Sequence, residues 1–524
     1  MTVASVAPEH GPAWQAGSRT RARERAALAL VLSLLLVSVA LLALTGNPAA
    51  ALWPAPALAC AWAVWKLPLR HTLLAYVGVA LTTSIAVVLE TWTPPAHVVY
   101  EFLSGNLNSL TGIEALRFSG AELVYMLLLG VVLLRYLMGE RTDRVGRGPV
   151  PSALYLVLVV AFTAVLALEL WGIARGGADV RQSLWQFREL LWLPVLTGVF
   201  CYALRGPRDI PAFTGTFTAA ACIKIGIGIY FLVAVAIPQR ERPPSMTGHE
   251  DSILFVTVAF ITVAAWAHRP TVARFLNAAV IGGWVMLGLV LNQRRIAFVS
   301  LLASVFVLYL MLQGPVKRGI TRVILCSLPV FAIYLMLGRH RDHGFFKPAA
   351  MIMSVAQQKD ASSATRDIEN YNLIQTLKPN IAMGTGWGHE YRELVKAYDI
   401  EKAFAQYRFV AHNSILWLLG IGGTLGFIAL WLPVVAGVFF AARSYRFARD
   451  PLERTGAITI IAILIAYIVQ AWGDMGTQGM MSELLVAWAL AMSGKLACHT
   501  GAWPSGQRLF GRPGVRPFAI GQRS

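Results

Sequence analysis

Charged side chains are scarce in this 524-residue chain: Asp, Glu, Lys and Arg make up 14% of it, against roughly 25% in soluble domains. That shortage argues against a water-soluble enzyme, and a hydrophobic content of 56% excludes a disordered chain. Cysteine is rare as well. Cys60, Cys201, Cys222, Cys326 and Cys498 all lie in or beside apolar runs, without a C-x-x-C pair or a metal-ligand spacing, so no disulfide framework is expected. The chain has no G-x-x-x-x-G-K-S/T loop, which argues against ATP-driven transport. It also lacks a D-x-D pair and an H-E-x-x-H helix, and His249-Glu250-Asp251 is too small a cluster for a convincing metal cage. Nucleotide-dependent and metal-dependent reactions both lose ground, and no fixed-period repeat points to a solenoid.

What the chain does have is apolar runs of about 20 residues, repeated along most of its length. They predict an all-α, polytopic transmembrane helical protein of about 12–14 spans with a large, partly helical loop. The expected division is a basic tail over residues 1–25, membrane helices over 26–338, a loop over 339–411, membrane helices over 412–497 and a second basic tail over 498–524. The first apolar run, Ala26 to Leu44, is longer than the roughly 7–15 residues of a signal-peptide core. A net charge of +18 would suggest nucleic acid as a partner in a soluble protein. Here the Lys and Arg residues fall in alternate connections, from Arg19, Arg21, Arg23 and Arg25 through Arg141, Arg144 and Arg147 to Arg443, Arg446 and Arg449. By the positive-inside rule both termini are then cytoplasmic. The basic C-terminal tail reads as an anionic-lipid contact or a topology signal, with no nucleic-acid partner.

The connection from Arg339 to Ala411 is on the outer face in this arrangement and is far longer than an ordinary loop. Apolar residues recur with helical spacing over Phe346–Gln357, Ile368–Leu377 and Glu390–Phe409, the last through Leu394, Ala397, Tyr398, Ile400, Phe404 and Tyr407. The spacing predicts two or three helices lying over the membrane as a lid.

Charges at the membrane surface or within it are costly and usually functional. The turn Asn292-Gln293-Arg294-Arg295 puts two arginines at an outer hairpin tip. They are either an interfacial snorkelling pair or an anion site, since the guanidinium fork matches phosphate oxygens. In the loop, Arg366 precedes Glu369, Pro379 and the run Gly384-Thr385-Gly386-Trp387-Gly388. That run is either an ordinary glycine turn or a backbone path that approaches a ligand closely. His412-Asn413-Ser414 stands where the loop re-enters the membrane. Asn413 or Ser414 caps the next helix, and His412 is a general-base candidate. Gly422 and Gly426 read as helix packing. Arg188, inside a span beside Glu189, lines a cavity or makes a structural pair, and Lys224 has no evident role.

In this order the residues resemble the bacterial O-antigen ligase and O-antigen polymerase-like superfamily. His412-Asn413, nine residues, Gly423, two residues and Gly426 match its motif of His, then Asn, Ser or Gln, with two glycines at that spacing. Arg294-Arg295-Ile296-Ala297 resembles the family's Ser-Arg-Gly-Ala-type turn, with Arg295 in the arginine's place and Arg294 replacing the serine. Arg366 through Pro379 to Gly384-Thr385-Gly386 resembles the Arg-to-Pro-x-x-Gly-x-Gly segment of the large periplasmic loop, and Arg188 sits in a Phe-Arg-Glu-Leu-Leu-Trp-Leu-Pro stretch similar to the family's. The chain departs from it at Thr247-Gly248-His249-Glu250-Asp251, where the family often carries Pro-Asn.

The resemblance implies a GT-C-like, metal-independent, inverting glycosyltransferase in the bacterial inner membrane, with no cofactor and an active site facing the periplasm. Its donor would be a polyprenyl-diphosphate-linked glycan, and its acceptor a glycan, a lipid A core or a protein. His412 would be the catalytic base. Arg295 and Arg366, with Arg188 and Arg294 as further candidates, would bind the diphosphate, and Asn413, Gly384, Gly386, Gly423 and Gly426 would support the motif. A flippase or transporter of lipid-linked glycan would also need arginines and a lipid groove, but not His412.

Overall fold

The computed structural model describes residues 54–84, 97–108, 117–138, 148–240, 246–312, 314–339, 361–396 and 406–504, with parts of 32–43 and 346–353. The basic N-terminal tail, about half of the first expected span, most of the expected Phe346–Gln357 helix and the end of the C-terminal tail lie outside them. Helix accounts for 81% of the structure, and among the described residues there is no strand. The protein is an all-α polytopic membrane protein. Nine helices among the described residues are long and apolar enough to cross a membrane.

In chain order the helices are α1 (Pro54–Lys66), α2 (Leu69–Thr83), α3 (His97–Ser104), α4 (Gly120–Leu137), α5 (Ser152–Arg175) and α6 (Val180–Ala203). They continue as α7 (Ile210–Phe231, prolonged by one π-helical turn), α8 (Asp251–His268), α9 (Val272–Asn292), α10 (Arg295–Met311), α11 (Gly314–Gly338), α12 (Ala361–Leu377), α13 (Ser414–Phe447), α14 (Pro451–Gly473) and α15 (Met480–His499). The expected count of about 12–14 spans exceeds those nine for three reasons. α1 and α2 have only 13 and 15 residues, α10 has 17, and α6 is too polar in its first half to qualify on composition.

The centre of the bundle is α15. Within its apolar window 94% of residues are buried inside the protein, and it packs against α6, α13 and α14. Phe213 and Phe217 of α7 close on Trp488 of α15, with ring centroids 6.0 and 5.1 Å apart. An all-round apolar helix is what such a position requires.

The element that shapes one end of the bundle is α13. Its 34 residues would run about 51 Å if unbroken, well beyond the roughly 30 Å of a hydrocarbon core. Gly423, at φ +58°, breaks it. The break leaves backbone groups unpaired in a dry setting, and these must find partners. The segment following α12 supplies them. Thr385 N–H donates to Gly420 O (3.1 Å) and Gly386 N–H to Ile421 O (2.9 Å), while Thr424 and Leu425 N–H donate back to Ile381 O (2.7 Å) and Ala382 O (3.1 Å). Trp387, fully buried, continues the attachment to α5 through Nε1–H to Val165 O at 2.9 Å.

The glycines of this segment therefore approach other backbone closely. Gly384 and Gly386 have φ of +68° and +78°, and a methyl on Gly384 would lie 2.0 Å from Ile421 O. The third helix expected in the loop is not formed where the structure describes it. Residues 390–396 and 406–409 are irregular, held together by Tyr391 N–H to Arg408 O (3.0 Å) and by the Arg408–Glu393 pair (2.9 Å). Residues 397–405 lie outside the described set.

Gly384→Ala is expected to destabilise the protein by about 2–4 kcal/mol through backbone strain and overlap. Gly198→Ala, where nothing lies within 4 Å of the added methyl, is expected to leave the thermal midpoint in lipid near wild type. Equal midpoints for the two variants would remove the role given to this junction.

Candidate active site

The residues that gather at this end of the bundle come from helix ends and from α12. On α12, Arg366 and Glu369 are three apart and so share a face. The helix is held near its middle by two asparagines. Asn372 Oδ1 accepts from Leu394 and Val395 N–H at 3.0 and 3.1 Å, and Asn413 Nδ2 of the α13 N-terminus donates to Asn370 Oδ1 at 3.1 Å. Asn413 also caps α13, accepting from Leu416 N–H at 3.1 Å.

His412, directly before that cap, is tied to Glu369 twice. Its backbone N–H and its Nδ1 both reach the carboxylate, at 3.2 Å to Oε2. A carboxylate only accepts, so Nδ1 carries the proton and Nε2 is left for the site. The hydrogen bond with Glu369 raises the His412 pKa above the ordinary imidazole value. Burial and Arg366 oppose that rise, and the Glu369 and Asp474 charges assist it.

A second histidine–carboxylate pair faces the same site. Asp474 is the C-terminal cap of α14 and accepts from His249 Nδ1 at 2.5 Å. Gly473 allows the approach of α14 to α10, since a methyl there would meet Ile296 Cδ1 at 2.2 Å. Asp474 O in turn accepts from Ser414 Oγ at 3.3 Å, which links this pair to the start of α13. Burial alone would raise the Asp474 pKa, but the hydrogen bond with His249, its charge, Met475 N–H and Arg366 together hold it below the usual carboxylate range.

The turn carrying His249 is fixed from two sides. Gln470 Nε2 donates to His249 O at 3.0 Å. Buried Asn292 donates to Thr247 Oγ1 (2.9 Å) and Gly248 O (2.8 Å).

Arg294 completes the group from the N-cap position of α10. Its Nε is buried without a hydrogen-bond partner. Burial lowers its pKa and Arg366 pushes the same way, against the attraction of Asp474. Arg294 is thus coupled to Arg366 and Asp474, and Arg295 opens α10 as its first residue. Two cations, one of them with an orphaned donor, lie among two anchored imidazoles. This arrangement calls for an anion between the arginines.

Arg188 is not brought to this group. It lines a separate cavity of about 180 Å³ with Glu122, Glu189, Glu250, Tyr125 and Gln478. There Arg188 Nε is 3.6 Å from Glu122, and its Nη2–H donates to Arg117 O at 2.7 Å. Glu122 is itself the capping-box partner of Ser119 at the start of α4. Lys224, unassigned from sequence, makes a buried ion pair with Asp251 and donates to Ser84 O at 2.7 Å. Among the described residues, no three of His, Cys, Asp and Glu converge as a metal-binding set.

Sequence reasoning missed Asp474, Glu369 as the partner of His412, and His249 as a member of the site. A carboxylate immediately after a long apolar run, at the same end as His412, was the available signal for Asp474. The chain matches no known protein-family model and no curated protein.

Arg188→Ala is expected to lower stability by about 3 kcal/mol, because Glu122 is left buried without its cation. Arg366→Ala is expected to leave the thermal midpoint near wild type, since it relieves repulsion with Arg294. A midpoint unchanged in the first variant would contradict the structural role of the Arg188–Glu122 pair.

Proposed function

We propose that the protein is a glycosyltransferase that uses a polyprenyl-diphosphate-linked glycan as donor and the hydroxyl group of a glycan, a lipid A core or a protein as acceptor. The observation that carries this reading is the Arg294–Arg366 pair with an orphaned, buried Nε, set beside the His412–Glu369 dyad. A diphosphate would satisfy the orphaned Arg294 donor and add negative charge between the two arginines beside that of Asp474. The charge neutralisation that a divalent ion provides in other transferases would come from these side chains. The first residues of α10, with Arg295 among them, add the positive end of the helix dipole.

His412 is the base. Glu369 fixes the ring, and Nε2 takes the proton of the acceptor hydroxyl as that oxygen attacks the anomeric carbon. The carboxylate then stabilises the imidazolium, in the manner of a nucleophile-activating triad. Attack opposite the departing diphosphate inverts the configuration. Apolar faces between the helices accommodate the lipid tail, and the segment carrying α12 covers the sugars. The expected orientation of the basic residues puts this site on the periplasmic face of the bacterial inner membrane.

The test is reconstitution of the full chain in lipid with a polyprenyl-diphosphate oligosaccharide in the presence of EDTA, with products resolved by gel. A ladder without added acceptor identifies a polymerase, and product only with a lipid A core or a protein identifies a ligase or a protein glycosyltransferase. Donor binding without covalent product would favour a transporter and end the enzyme reading. His412→Ala is expected to abolish product while donor binding persists.

The pH dependence follows from Glu369. His412 must be unprotonated to act, so the rate rises with pH through a limb above the ordinary imidazole pKa. Glu369→Gln removes the charge that raises that pKa, so the limb is expected to move to lower pH and the plateau to fall. A limb that stays in place would separate Glu369 from the base.

A further inference from the structure

Displacement with inversion places the attacking hydroxyl and the leaving group on opposite faces of the anomeric carbon, and inverting glycoside hydrolases use two separate groups, a base and an acid, on the two sides. A single imidazole at His412 serves only one face. We propose that His249, held by Asp474, is the proton donor to the departing diphosphate, an assignment that rests on the glycosyl-transfer reading above.

Three features point to it. The first is the anchoring of the ring. Nδ1 faces Asp474, so Nε2 is directed away from the carboxylate, and the side chain is 46% exposed, more open than His412 at 28%. The second is location, since Asp474 O accepts from Ser414 Oγ at 3.3 Å, two residues after His412, and the Asp474 charge acts on Arg366 and Arg294, the two residues assigned to the diphosphate. The third is that the turn is rigidly built. Its carbonyl is held by buried Gln470, and the residues before it are bonded to fully buried Asn292.

The adjacent acids are engaged elsewhere. Glu250 accepts from Met481 and Ser482 N–H at 2.9 and 3.1 Å, and Asp251 pairs with Lys224 and accepts from Gly248 N–H at 2.7 Å. The charged groups facing His249 are thus Asp474 and, beyond it, Arg294, Arg366 and the His412–Glu369 dyad.

The step balances. The acceptor oxygen forms a bond to the anomeric carbon and gives its proton to His412 Nε2. The bond from that carbon to the phosphate oxygen breaks, its electron pair stays on the oxygen, and His249 Nε2 supplies the proton to it. His412 ends protonated and His249 neutral. Water in the site returns the proton between turnovers, with no other reactant. Asp474 is a positioning residue in this scheme.

The experiment uses the reconstituted full chain with the diphosphate donor. His249→Ala and His249→Gln are expected to lower kcat by about 100-fold or more, within the usual range for loss of a general acid, while KM for the donor stays within about threefold. Added imidazole is expected to restore kcat of the alanine variant at least about tenfold, since it refills the vacated space with a proton donor. Asp474→Asn is expected to lower kcat by about tenfold with KM retained.

Wild-type kcat in the His249 variants, a rise in KM at constant kcat, or a loss of kcat that imidazole does not lift would each overturn the assignment. Should the alanine variant fail to unfold cooperatively, the kcat and KM of the glutamine variant decide the question. Absence of product from the wild-type chain would instead remove the glycosyl-transfer reading, a result distinct from all of these.

Discussion

The closure of a broken membrane helix by the backbone of a distant segment is the constraint from which the site follows. At Gly423 the chain leaves helical geometry, and Gly420 and Ile421 need donors that lipid does not provide. Residues 381–387 supply those donors and accept from Thr424 and Leu425 in exchange. Because this segment directly follows α12, the exchange also fixes where α12 lies. Glu369 then meets His412, and Arg366 comes near Arg294 and Asp474. The α13 break is stabilised by pairing, and the same pairing sets the geometry of the candidate site.

The consecutive residues His249, Glu250 and Asp251 show how much a short polar turn organises. His249 reaches Asp474 at the end of α14. Glu250 accepts from the first N–H groups of α15, where a carboxylate also complements the helix dipole. Asp251 neutralises Lys224 of α7. Three adjacent side chains thus hold three different helices, and the histidine is the one turned toward the arginines. This explains why the triplet makes no metal cage despite its composition.

The long helices were legible in the sequence because their apolar runs are continuous over the length a bilayer demands. Asn413 marked the start of α13 through ordinary capping chemistry. The break at Gly423 was not legible, since Gly422 and Gly426 packing against Leu168 produces the same glycine pattern in an unbroken helix. The site was read in part. His412, Arg366 and Arg294 could be named from residue type and position, but their partners are set by tertiary pairing. Glu369 lies 43 positions from His412, and Asp474 lies 225 from His249. Arg188 resembled a site arginine for a related reason. Its partner, Glu122, is 66 positions earlier in the chain, at the start of α4.

The order of these segments along the chain bears on biogenesis. His249 and Arg294 enter the membrane early, α12 follows, and Asp474 arrives only when α14 has been inserted. Until then the His249 ring has no carboxylate to anchor it. The junction at Gly423 likewise cannot close before α13 is in place, although its partner segment is made first. A nascent chain stopped before α14 therefore carries the basic groups of the site and Glu369 but lacks the Asp474 carboxylate, so the site is completed only in the last stretch of synthesis.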